Sequence, residues 1–179
     1  MIELISTLLP YKILAAQILF VVLVLALIFR KTWGKEVVQF LGKYALVLGL
    51  LVSLSAILGS LFYSEIIGFE ACVLCWWQRV LLYPMLIIFA IALWKRDRNA
   101  FDYIIPLAIL AGIIGLYQSY ANLGGVSLLS CTAAEGACSK IYVKEFGYIT
   151  IPMMSLTISL YLLLLAWINK IYRNENSNS

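Results

Sequence analysis

The chain reads as long apolar runs separated by short charged breaks. An α-helix needs about 20 largely apolar residues to cross the hydrocarbon core of a bilayer. Five stretches meet that need: residues 13–29, 44–63, 76–94, 103–120 and 149–169. The first is interrupted by Gln17, the second has serines as its polar breaks, and the third holds Gln78 and Arg79 close to its start. None shows the period-2 alternation of a barrel strand, and backbone groups in lipid must be satisfied within the segment, so the runs predict helices. The expected fold is a helical membrane bundle. Pro84, Pro106 and Pro152 fall inside or at the start of runs, where kinks re-satisfied by neighbours are the usual outcome. Gly49, Gly59, Gly112 and Gly115 are expected to permit close helix contact.

Composition agrees: 64% of residues are hydrophobic and 12% charged, with a mean hydropathy of +0.98. Soluble domains have roughly half and a quarter respectively. The net charge of +4 is better read by position, because basic residues in short loops set membrane orientation. Arg30, Lys31, Lys35, Lys43, Lys95, Arg96, Arg98, Lys170 and Arg173 fall on one side, and only Lys12, Lys140 and Lys144 in loops on the other. The first set is expected in the cytoplasm, which puts the N-terminus, the loop before Cys72 and the segment 122–148 outside. Nucleic-acid binding is not expected. The first run resembles a signal peptide in length, but no small-residue cleavage site follows and "RKTWGK" resists translocation, so a retained helix is expected. The chain has no histidine, which removes imidazole haem ligation, Cys/His zinc sites and histidine acid–base chemistry.

The four cysteines form two pairs, Cys72-Val-Leu-Cys75 and Cys131-x6-Cys138. Both are expected on the oxidising face, where disulfides persist. As structural staples they offer little: closing rings of this size restricts the unfolded chain by about 2 to 2.5 kcal/mol. Small, exposed rings suit exchange better than reinforcement. A zinc or iron–sulfur site is the weaker use, since six residues separate the second pair where a ribbon has two to four.

Cys75 falls at the start of the third run, where unpaired N–H groups and the helix dipole favour an anion. Arg79 follows one turn deeper on the same face. An arginine inside a membrane run is a functional hypothesis by default, with snorkelling to the interface as the plain alternative. A lipid-soluble two-electron acceptor with carbonyl oxygens, a quinone, would meet both the sulfur and the guanidinium. Trp76, Trp77 and Tyr83 could pack on its ring, although interface anchoring is their commoner role.

At these residues the sequence resembles the DsbB/BdbC family of membrane thiol:quinone oxidoreductases. The resemblance rests on "GSLFYSEIIGFEACVLCWWQRVLLYP" at 59–84, the second cysteine pair, and "EFGYITIPMMSL" at 145–156. It implies an all-α membrane protein: a four-helix redox bundle over 44–170, here with one additional N-terminal transmembrane helix and cytoplasmic loop in 1–43. The remainder, 171–179, is expected as a polar cytoplasmic tail. It implies catalytic roles for Cys72, Cys75, Cys131 and Cys138, and a quinone, ubiquinone or menaquinone, bound beside Cys75 and Arg79. It also implies an extracytoplasmic thioredoxin-like partner of the DsbA/BdbD type, whose thiolate would attack the Cys131–Cys138 disulfide. Electrons would then reduce Cys72–Cys75. "KIYVKEF" could lie in the interface as an amphipathic turn through Ile141, Tyr142 and Phe146. Two other readings compete. A vitamin K epoxide reductase-like protein would place its loop cysteines before the CxxC, the reverse of the order here. A non-enzymatic anchor or metal-binding subunit stapled by two disulfides would consume neither dithiol nor quinone.

Overall fold

The computed structural model describes residues 2–30, 34–123, 143 and 146–177, with side chains from Tyr11 to Asn176. Its five long helices are α1 (Ile2–Ile28), α2 (Lys35–Leu61), α3 (Val73–Lys95), α4 (Phe101–Asn122) and α5 (Ile151–Ser177). Each is long and apolar enough to cross a membrane, and the described residues contain no strand. The predicted runs recover the hydrocarbon-crossing part of every helix. The helices themselves reach further, because charged residues such as Lys35 and Lys43 continue a helix into the interface at no cost to its backbone. Helix α5 continues through most of the polar tail, to Ser177. Tyr172 holds this extension, packing against Gly42 of α2 and lying under the Arg98 guanidinium at 4.8 Å.

Between helices in lipid there is no solvent to exclude, so association depends on close packing and on polar contacts. Phe89, Met85, Ile104, Ala108, Ala111 and Leu162 are fully enclosed where α2 to α5 meet. Glycine does what was expected of it at two positions. A Cβ added at Gly49 would run into the Phe89 ring, and one at Gly115 would press within 3.2 Å of the Leu156 backbone on α5. Gly112 makes only an ordinary contact, and Gly59 faces open space, so it admits no neighbouring helix. Large apolar side chains such as Leu58, Ile87, Ile113 and Leu116 cover the outer surface, as lipid requires.

Successive spans reverse direction, which separates two ends. At one, Arg98 donates to the carbonyls of Gly42 and Lys43 at 2.8 and 3.1 Å, Asn169 donates to the Arg98 carbonyl at 3.1 Å, and Arg30 approaches Glu175 at 4.0 Å. At the other end, α2 widens into a π-turn over Phe62–Ile66. Gly68, at φ +80°, then turns the chain back. The Phe69 N–H donates to the Tyr63 carbonyl at 3.0 Å, the two rings stack at 5.9 Å, and the loop delivers Cys72 to the start of α3. Pro84 and Pro106 lie within α3 and α4. A second turn, with Phe146 at φ +53° and Gly147 at φ +79°, leads into α5. Of "KIYVKEF", Val143 and Phe146 alone are described, so the interfacial turn falls largely outside the described residues.

Candidate functional site

Cys72 caps α3. Its backbone is extended, and its sulfur accepts from the Cys75 N–H at 3.3 Å. Here the sulfur does the work of a capping hydroxyl, satisfying one of the four N–H groups that a helix start leaves unpaired. The Cys75 sulfur lies 2.7 Å from that of Cys72. The pair is therefore set to pass between dithiol and disulfide by a small rotation of two side chains. One expectation changes: the anion-favouring helix terminus acts on Cys72, the capping residue, and Cys75 sits a further turn inside.

The two sulfurs face different surroundings. Cys72 is buried toward α4, whereas Cys75 opens on a cavity of about 580 Å³ walled by α1, α2, α3 and α5. Cys75, Gln78, Arg79 and Leu82 all line it, and their spacing of three, four and seven residues places them on one face of α3.

Arg79 is 5% exposed, which excludes the snorkelling alternative. Its Nε donates to Ser60 Oγ at 2.9 Å and its Nη2 to the Ser60 carbonyl at 3.2 Å, and the guanidinium lies over the Trp76 ring at 5.1 Å. A buried cation at membrane depth is tolerated only with such partners. Next to it, the Gln78 amide nitrogen and the Tyr63 hydroxyl are buried without a hydrogen-bond partner in the described structure. Both residues line the cavity. Orphaned polar groups of this kind are uncommon and call for a ligand or water. None of Trp76, Trp77 and Tyr83 lines the cavity; Trp76 and Trp77 are exposed, which fits anchoring, and Tyr83 packs against the bundle core.

Gln118 of α4 escaped the sequence reading. It is 5% exposed, and its Nε2 donates to the Cys72 sulfur at 3.2 Å and lies 3.8 Å from that of Cys75. The signal was available: an amide inside a membrane run carries the same functional presumption as an arginine. A donor aimed at both sulfurs stabilises the reduced, anionic form over the disulfide. Gln118→Leu removes a charge-assisted bond of about 1.5 kcal/mol, so the reduction potential of the Cys72–Cys75 pair should fall by about 30 mV. Titration against dithiol buffers measures this; an unchanged potential would leave Gln118 a packing residue.

Cys131 and Cys138 lie outside the described residues, so the structure brings together Cys72, Cys75 and Arg79 among the expected site residues.

The family model described as "Disulfide bond formation protein DsbB" matches residues 42–169. The chain is 43% identical over 98 residues to the SPbeta prophage-derived disulfide bond formation protein B of Bacillus subtilis, covering 55% of this chain and 66% of that protein. It is 34% identical over 134 residues to the probable disulfide formation protein C 2 of Bacillus anthracis, covering 75% and 96%. With the disulfide bond formation protein C of Bacillus subtilis it shares 39% identity over 106 residues, 59% and 77% of the two chains. No solved structure matches. A paired CxxC capping a membrane helix, together with a match over most of the chain, establishes that the protein belongs to the DsbB family and is a membrane disulfide oxidoreductase.

Proposed function

We propose that the chain reoxidises an extracytoplasmic thioredoxin-like dithiol protein and passes the electrons to a membrane quinone. The observation that carries this reading is the split of the CxxC pair, with Cys72 turned to Gln118 and Cys75 opening on a largely apolar cavity that holds Arg79 and an unpartnered Gln78 amide. Those residues fit a quinone. Its carbonyl oxygens would find donors in Gln78, Tyr63 and Arg79, and its tail would find the apolar remainder; pockets of a few hundred Å³ are typical of such ligands. A bound quinone supplies a two-electron, two-proton acceptor.

The chain's own residues supply the rest. A thiolate of the partner opens the Cys131–Cys138 disulfide, the partner's second thiol resolves the mixed disulfide, and the loop is left as a dithiol. That dithiol in turn opens Cys72–Cys75 and recloses as a disulfide. Reforming Cys72–Cys75 releases two electrons and two protons beside the cavity. Arg79, fixed by Ser60, stabilises negative charge developing there without having to move. The basic end of the bundle supports a cytoplasmic placement of Arg30, Lys95, Arg98 and Arg173, and hence an outer placement of the cysteines.

The test is a purified-protein assay with reduced thioredoxin-like partner and a soluble quinone. One quinone should be reduced for every two partner thiols lost. Thiol loss without any fall in quinone absorbance would refute the proposal.

A further inference from the structure

Four helices wall the cavity beside Cys75, and one of them is α1. The family match begins at residue 42, so this wall lies outside the matched region. Lys12, Ala16, Leu19 and Leu23 line the cavity from α1; steps of four, three and four residues put them on one helical face.

The neighbouring face of α1 is fastened to α5. Gln17 Nε2 donates to Thr157 Oγ1 at 3.2 Å, and Gln17 Oε1 accepts from the Tyr148 hydroxyl at 2.8 Å. The Tyr161 hydroxyl donates to the Ala16 carbonyl, and the Tyr161 ring meets Phe20 edge-on at 5.3 Å. A glutamine satisfied at both ends inside lipid fixes the rotation of its helix. Rotation in turn decides which side chains face the cavity.

Near the basic end, α2 and α5 meet directly, with Tyr172 seated against Gly42. Toward the cysteine end, Ser55 and Gly59 of α2 and Met154 and Ile158 of α5 line the cavity instead, and a Cβ on Gly59 would meet nothing within 4 Å. There α1 closes the gap. The space it encloses is graded: Cys75, Gln78 and Tyr63 lie toward one end, while Leu23, Leu41 and Leu48 lie deeper along the spans.

We propose that α1 is the wall that holds the isoprenoid tail of the quinone, with Ala16, Leu19 and Leu23 as the contact face. The inference rests on the quinone reading above and deepens it. A carbonyl-bearing ring on a long apolar tail matches a cavity with donors and a reactive sulfur at one end and leucines along the rest. A phospholipid chain would match the leucines alone.

The test uses the full chain and two quinones sharing one ring, one tail-less and one carrying a diazirine on its isoprenoid tail. Wild-type protein should reduce the tail-less quinone. On illumination, tail adducts should map by mass spectrometry to the peptide spanning 11–28, and unlabelled long-tailed quinone should compete them away. Ala16→Phe should remove those adducts and raise KM for the long-tailed quinone about tenfold more than for the tail-less one. If the tail-less quinone is reduced while adducts fall elsewhere than α1 or resist competition, the role of α1 is overturned and the quinone reading stands. If a diazirine phospholipid labels the same α1 positions and quinone does not displace it, the wall belongs to lipid and the inference fails. If wild-type protein reduces neither quinone, the quinone reading fails and takes this inference with it.

Discussion

Cys75→Ser protein reduces quinone no faster than buffer, while its helices and thermal unfolding stay close to wild type. A serine hydroxyl cannot enter a disulfide, so the one cysteine that opens on the cavity among the described residues is lost and the proposed electron path ends at Cys72. The fold persists because the Cys75 contribution to the helix start is its N–H, which donates to Cys72 and survives the change. Cys72→Ser should be equally inactive and at least as stable, since serine is among the best N-cap residues. The two readouts separate chemistry from folding: quinone absorbance follows the first, and circular dichroism on heating follows the second. Substantial quinone reduction by the Cys75→Ser protein would remove the mechanism.

Arg79→Ala raises the apparent KM for quinone by about ten- to a hundredfold, with a smaller effect on kcat. The loss corresponds to one or two hydrogen bonds from a charged donor, about 1.5–3 kcal/mol. Stability should change little in comparison. Burying a guanidinium in lipid is itself unfavourable, and its removal offsets the Ser60 bonds that are broken. Arg79→Lys keeps the charge but not the planar fork that reaches both Ser60 Oγ and the Ser60 carbonyl, so it should fall between the two. Exchange between a dithiol partner and the cysteines, followed without quinone, should proceed at the wild-type rate in both variants. A matching loss in that exchange would mean that Arg79 serves the fold rather than the acceptor.

The membrane-crossing helices were legible in the sequence because lipid imposes one rule on every residue of a span, and a charge-free run of the right length satisfies it. Helix ends were less legible. Lys35 and Lys43 broke the charge-free run but not the helix, and the α5 extension depends on Tyr172 meeting Gly42, a contact between residues 130 positions apart. The π-turn at Phe62–Ile66 has no periodic signature of its own.

At the site, Cys72, Cys75 and Arg79 could be read from spacing along one helix, which the chain encodes locally. Gln118 carried only the signal of an amide inside a membrane run, and its partner and that of Ser60 could not be read, because each reaches across from another helix. The same reasoning explains Gln17, which stood out as the one polar break in its run. Its partners, Thr157 and Tyr148, became visible only once α1 was laid against α5. Which sulfur caps the helix was also beyond the sequence, since a shift of α3 by one turn would exchange the roles of Cys72 and Cys75.

On the proposed mechanism, electrons leave through Cys75 into an acceptor held in the cavity beside Arg79. The most direct measurement takes fully reduced Cys131→Ser/Cys138→Ser protein, whose loop cannot return electrons to Cys72–Cys75, and mixes it anaerobically, without any thiol partner, with one equivalent of quinone. Remaining thiols are then alkylated, and each cysteine is assigned by mass spectrometry at successive times. The Cys72–Cys75 disulfide should form in step with the loss of quinone absorbance. Quinone consumed by this protein while Cys72 and Cys75 stay alkylatable would contradict the mechanism.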